Sequence, residues 1–267
     1  MRRVNPTPAD TVVLTVGLGV RVPMARWSFW RLVLGAHRLS QTGQVGDGRE
    51  RAVVDYVVSH AREGDIDDVL GTLDWYAYHK SLLINIGDVK GKLLDAAVKR
   101  SDPEVVLELG TYCGYSALRI AREAPSAHVY SVELSADNAE LARRVWHHAG
   151  VGDRITCVVG TLAGGGQTIG QLDTAIGKSP GGTVDFVFID HDKRSYVDDL
   201  LTITEKGWLH PGSIVVADNV GYPGAPRYRR YMRRKEGVQW RTREHRAHAE
   251  YQSLIPDLVL ESEFLGG

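Results

Sequence analysis

The 267-residue chain has only two cysteines, Cys113 and Cys157. Two thiols cannot build a disulfide framework, and this pair lacks zinc-site spacing, so the reading is a hydrophobic core in a reducing, cytoplasmic setting. An excess of one charge is missing too: 32 Lys and Arg face 33 Asp and Glu, a formal net charge of −1. That balance argues against a nucleic-acid partner or an acidic membrane surface. Long apolar runs are also absent. Thr11 to Val22 is the most apolar N-terminal stretch, but Arg21 interrupts it and it falls short of the about 20 residues that span a bilayer. No internal repeat or low-complexity tract occurs. A hydrophobic content of 43% can fill one core, and the length suits one α/β domain with a short extra segment.

Residues 1–48 read as an N-terminal extension, helical or partly disordered, and 49–267 as the domain. Trp27–Leu34 has the pattern of an amphipathic packing helix, with contact to a membrane interface as the alternative. Helical stripes follow over Glu50–Ala61, Asp65–His79 and Asp88–Arg100. Then come short apolar runs, Val105–Leu109, Val129–Leu134, Ile155–Val159, Val184–Ile189 and Ser213–Ala217, which suit strands buried on both faces. Helical patterns separate them at Gly114–Glu123, Ala136–Ala149, Thr168–Ile176 and Arg194–Lys206. The predicted fold is α/β: a doubly wound, mostly parallel sheet with an antiparallel C-terminal pair at Val238–Glu244 and Asp257–Phe264, preceded by N-terminal helices. Ligands in such folds gather at the carboxyl ends of the strands.

The first strand ends in Leu107-Glu108-Leu109-Gly110-Thr111-Tyr112-Cys113-Gly114-Tyr115-Ser116. This loop is Gly-x-x-x-Gly rather than Gly-x-Gly-x-x-Gly, which counts against a nicotinamide cofactor. Glu133 ends the next strand, 23 residues after Gly110. An acid there can accept hydrogen bonds from ribose hydroxyls, so loop and acid together point to an adenosine ligand; a plain strand–helix turn and a helix-capping glutamate are the structural alternatives. Asp190 ends the fourth strand, and Asp218 and Asn219 end the fifth. Three oxygen donors at one sheet edge suit a hard cation such as Mg²⁺. Lys193, three residues past Asp190, is placed to act as a base, with its pKa expected to fall beside a cation.

Together these segments resemble the catechol O-methyltransferase family of class I S-adenosylmethionine-dependent enzymes. The matching stretches are Asn85-Ile-Gly-Asp-Val-Lys-Gly-Lys92, Leu107 to Ser116, Ile189-Asp-His-Asp-Lys193, Ala217-Asp-Asn-Val220, Pro223-Gly224 and Ala249-Glu250-Tyr251, in one order from about Arg51 onward. The resemblance implies Mg²⁺ on Asp190, Asp218 and Asn219, and Lys193 as general base. Glu250 would hold the unmethylated hydroxyl. Glu133 would bind the ribose of S-adenosylmethionine. Ile86, Glu108, Gly110, Tyr112, Ser116, Leu134, Asp190 and His191 would complete the cofactor pocket, with His191 beside the adenine. Leu82, Ile84, Asp192, Lys193, Asn219, Pro223 and Glu250 would line the substrate slot. Leu82 and Asp192 stand where the family has tryptophans, and Ile84 where it has a methionine. The expected partner is therefore a small catechol or ortho-diphenol; caffeoyl-CoA-like chemistry is the alternative, and the chain would be a monomer or homodimer. Tyr228, Tyr231 and Met232 share a helical face opposite Arg229, Arg230, Arg233 and Arg234, read as a helix with its arginines in water.

Overall fold

The computed structural model describes residues 27–267 together with a small antiparallel pair, Thr15–Val16 with Val20–Arg21; most of the Thr11 to Val22 stretch lies outside the described residues. Four helices come first: α1 (Trp27–Thr42), α2 (Arg49–His60), α3 (Ile66–His79) and α4 (Gly87–Ser101). Helix α3 starts where Asp65 accepts the Asp68 amide, satisfying one of the free N–H groups of a first turn, and Asp67 and Asp68 add negative charge at the helix N-terminus. It buries Val69, Leu70, Leu73 and Tyr76, the expected stripe. The alternating part follows as β1 (Val105–Leu109), α5 (Tyr115–Glu123), β2 (His128–Glu133), α6 (Ala136–His148), β3 (Ile155–Val159), α7 (Gly166–Ile176), β4 (Val184–Ile189), α8 (Tyr196–Glu205), β5 (Leu209–Ala217), α9 (Pro226–Lys235), β6 (Trp240–His248) and β7 (Pro256–Phe264).

These strands form one seven-stranded sheet in the order β3-β2-β1-β4-β5-β7-β6. The first five are parallel; β7 runs antiparallel to β5, and β6 antiparallel to β7. Both faces are covered, as continuous apolar strands require. On β4, Phe186 and Phe188 enter the layer under α4–α6, while Val187 and Ile189 enter the layer under α7–α9, and all four are fully buried. Each such side chain contributes ~1.5–3 kcal/mol. The chain winds outward from β1 to β3 and returns at β4. The switch point therefore lies between the carboxyl ends of β1 and β4.

Two boundaries differ from the sequence expectation. Strand β5 begins at Leu209 rather than Ser213, and its register against β4 slips between the pairs Val184–Leu209 and Phe186–Ile214. The intervening His210, Pro211 and Gly212 form an irregularity that a hydrophobic pattern cannot count as strand. Strand β6 begins at Trp240 and runs on to His248, because an edge strand has one solvated side and keeps pairing through polar residues. In α9, Tyr228, Tyr231 and Met232 are buried as expected, and Arg229 and Arg233 pair with Glu244 at the surface. No helix among the described residues is long and apolar enough to cross a membrane.

Candidate active site

The β1 turn is shaped by two close approaches. Gly110 has φ +103°, and a Cβ there would come within 2.5 Å of the Asp190 carbonyl oxygen. Gly114 has φ +83°, and a Cβ would lie 2.4 Å from Trp146 Nε1, which donates to the Gly114 carbonyl at 2.9 Å. Only glycine permits both the backbone conformation and the space. Between them, the Thr111 and Tyr112 amides donate to Glu133 Oε2 at 3.2 and 2.8 Å, while Glu133 Oε1 accepts the Ser135 amide at 2.9 Å. Glu133 thus builds the loop and also caps toward α6. Burial raises its pKa, and these hydrogen bonds oppose the rise.

Beneath the loop, Glu108 is fully buried. Burial pushes its pKa up to about 8 against the lowering effect of hydrogen bonds from Ser116 and Ser131, and its Oε1 has no donor. Leu134, just past Glu133, is 47% exposed. The His191 ring stacks on Tyr196 at 5.2 Å; its Nε2 lies 2.6 Å from Asp199 Oδ2, and its Nδ1 is buried with no partner. Ile86 is buried at the start of α4. Leu134 past β2 thus offers a half-exposed apolar side chain, while the Glu108 carboxyl oxygen on β1 and the His191 ring nitrogen past β4 are buried without a hydrogen-bond partner among the described residues.

At the next two strand tips the backbone ladder continues one residue further. The Asp190 amide donates to the Leu109 carbonyl at 2.9 Å and the Asp218 amide to the Ile189 carbonyl at 3.0 Å, so the two aspartates sit side by side. Asn219 has φ +53°, which turns the chain away from the sheet. Asp218 Oδ1 accepts the Asn219 amide at 2.7 Å and forms an ion pair with Lys90 Nζ at 2.8 Å, whereas Asp218 Oδ2 is buried with no hydrogen-bond partner among the described residues. Asn219 Nδ2 donates to Glu250 Oε1 at 2.7 Å and Asp257 Oδ2 at 2.9 Å, which leaves its carbonyl oxygen as the spare acceptor. Lys193 Nζ donates to Asp190 Oδ1 at 2.8 Å.

Four carboxylates (Asp190, Asp218, Glu250, Asp257) thus face two ammonium groups (Lys90, Lys193) in a buried pocket. Burial and the acidic excess push Asp218 up to about 8 and raise Asp190. Burial would lower Lys90, but Asp218, Glu250 and Asp257 outweigh it and hold the ammonium charged; the proton stays on nitrogen because three carboxylates share one lysine. Lys193 is likewise raised by Asp190 against burial. An unpartnered Asp218 Oδ2, a spare Asn219 carbonyl and surplus negative charge are the hard, anionic donor set that a divalent cation fits.

Of the substrate-lining candidates, Leu82 is 5% exposed, and its carbonyl accepts Arg49 Nη1 at 2.6 Å. Ile84 is half-buried, and Pro223 is exposed after a cis Tyr222–Pro223 bond. Asp192 is turned to Arg194, whose Nη2 donates at 2.7 Å. Sequence reading missed three residues here. Lys90 lies inside the family-like stretch 85–92 but drew no role, Asp257 carried no local pattern, and Tyr222, 50% exposed beside Pro223, was passed over.

A family model described as O-methyltransferase matches residues 63–235. A protein of Mycobacterium tuberculosis named as a probable O-methyltransferase is 63% identical over 235 residues, covering 88% of this chain and 100% of its own length. Bovine catechol O-methyltransferase is 37% identical over 190 residues, 71% of this chain and 68% of that protein. An O-methyltransferase from Streptomyces achromogenes involved in tomaymycin synthesis, solved with SAM, shares the fold at a TM-score of 0.59 and 21% identity, covering 83% of this chain and 99% of that one. The model spans most of the domain and the bovine enzyme aligns over two thirds of its length; the chain belongs to the O-methyltransferase family that includes the catechol O-methyltransferases.

Proposed function

We propose that this protein moves a methyl group from S-adenosylmethionine to one hydroxyl of a catechol-type substrate, with Mg²⁺ held by Asp190, Asp218 and Asn219. The observation that carries this reading is the buried acidic excess at the β4–β5 tips with Asp218 Oδ2 left unpartnered, next to the glycine-shaped β1 loop. When bound, the cation would supply Lewis acidity toward a phenolic hydroxyl and the sulfonium would supply an electrophilic methyl. The chain's own part is positioning and proton transfer. Lys193 accepts the proton of the reacting hydroxyl only as the free amine, so its ammonium must first leave Asp190 and release a proton to solvent. Glu250, whose Oε1 is taken by Lys90 and Asn219, keeps Oε2 for the neighbouring hydroxyl.

On the cofactor side, the similarity to a SAM-bound structure supports the donor. The 3.4 Å contact from Asn138 Nδ2 to Glu133 Oε1 is the weakest of those on Glu133 and the one a ribose hydroxyl would displace. Leu134 and His191 would flank the adenine, while Glu108, Gly110, Tyr112, Ser116 and Ile86 would surround the methionine part. Orienting oxygen and methyl in line can supply ~7–11 kcal/mol. Buried Leu82 and ion-paired Asp192 depart from an aromatic slot, which favours a bulkier ortho-diphenol as the second reading.

A panel of catechols and ortho-diphenols assayed for methyl transfer with and without Mg²⁺ tests both. Turnover should vanish in excess EDTA and in Asp190→Ala, while calorimetry still detects S-adenosylmethionine binding by the variant. Full turnover in EDTA would remove the metal from the reaction.

A further inference from the structure

Lys90 projects from α4 with its side chain 1% exposed. Its Nζ lies 2.8 Å from Asp218 Oδ1 and 2.8 Å from Asp257 Oδ2, and it donates to Glu250 Oε1 as well. Those three carboxylates offer oxygens within 4.8 Å of one another, close enough to hold a metal ion by themselves. Two candidate centres therefore share Asp218, one on the Asp190 and Asn219 side and one on the Glu250 and Asp257 side.

We propose that Lys90 is a positioning residue that occupies the second of these as a resident cation. Its ammonium takes the place a metal ion would have among Asp218, Glu250 and Asp257, and so keeps a divalent ion out of that trio. A fixed ammonium has three donors; here two contacts are hydrogen bonds to Glu250 and Asp257, and the charge also pairs with Asp218. Asp218 then has one oxygen committed to Lys90 and the other, unpartnered, facing elsewhere. Glu250 and Asp257 are pulled onto the same nitrogen, and both accept the Asn219 amide, which turns the Asn219 carbonyl away from the trio. The consequence for the reaction, that the ion sits beside Asp190, rests on the reading under Proposed function.

Mn²⁺ binding to the full chain, followed by electron paramagnetic resonance and calorimetry, tests this without turnover. Lys90→Met should gain an Mn²⁺ site, and that site should survive in the Lys90→Met/Asp190→Asn double variant, which should bind at least tenfold more tightly than Asp190→Asn alone. Lys90→Arg should restore the wild-type stoichiometry. Lys90→Gln, which keeps a donor of similar length, carries the same test where Lys90→Met does not fold. A double variant that binds Mn²⁺ no better than Asp190→Asn overturns the proposal. A wild-type chain that takes up no Mn²⁺ while Lys90→Met does would sink the metal-dependent reading and still support Lys90 as the occupant of the trio.

Discussion

Among the described residues Lys193 has one charged partner at hydrogen-bond distance, Asp190, and the step proposed for it begins when that bond is released. Removing the amine while keeping its bulk should therefore act on turnover more than on binding. Lys193→Met is expected to lower kcat by ~10²-fold or more with KM changed far less, since general bases typically contribute 10²–10⁴-fold. Steady-state kinetics decide it, and an unchanged kcat takes the lysine out of the reaction. The strand-end acids Asp190 and Asp218 and the nearby Lys193 were legible in the sequence as neighbours because a parallel sheet collects strand ends on one edge. Lys90 and Asp257 were not. A lysine inside a helix reads as solvated until its partners are known, and these lie 128, 160 and 167 positions away.

At the scale of elements, α3, α5 and the loop after β6 meet at Asp74. The Tyr115 hydroxyl donates to its Oδ1 at 2.8 Å, and the Tyr251 hydroxyl lies 3.2 Å from the same oxygen and 2.7 Å from Asn85 Oδ1, the shorter of its two acceptors, at the entry to α4. Burial raises Asp74 to about 6, above its ordinary 3.8. A group raised in the folded state stabilises fully below its unfolded pKa, and that contribution is lost as pH rises through the folded value. Between pH 4 and 7 the wild type should therefore lose up to ~3 kcal/mol that Asp74→Asn does not lose. Thermal melts of the two proteins across that range read the difference directly. Equal pH dependence would mean that Asp74 stays ionised when folded. Helix positions themselves were legible from apolar spacing. The aspartate's burial was not, because it follows from the packing of three separate elements.

For the whole molecule, the question is how residues 27–48 relate to the domain. Arg49 is buried and binds on three sides: the Ser28 carbonyl at 3.0 Å, the Leu82 carbonyl at 2.6 Å and the Asp47 carboxylate at 2.8 Å. Gln44 Nε2 donates to Asn138 Oδ1 at 2.9 Å, and Asn138 Nδ2 donates to the Gly43 carbonyl at 2.8 Å beside Glu133. The segment before α2 thus closes over the same edge as the proposed cofactor pocket. Arg49→Ala leaves two buried carbonyls unpaired, and should lower the opening energy of α1 by ~3 kcal/mol while the sheet stays protected. Hydrogen exchange should show faster exchange over Trp27–Thr42 and unchanged β1 and β4; uniform change throughout would mean that α1 and the sheet open as one unit.

The chain's own order of apolar runs and helical stripes determined the layers, the parallel sheet and the edge at which acids, amide and lysine would collect, because strand direction and crossover handedness leave few other arrangements. Tertiary structure alone decided which lone pairs those groups keep. Partners contributed by α4, the loop after β6 and the segment before α2 lie far away in sequence, and hydrogen bonding is set by distance in space rather than along the chain. That is why the acids could be named from the sequence, while the ammonium set among them emerged only from the fold.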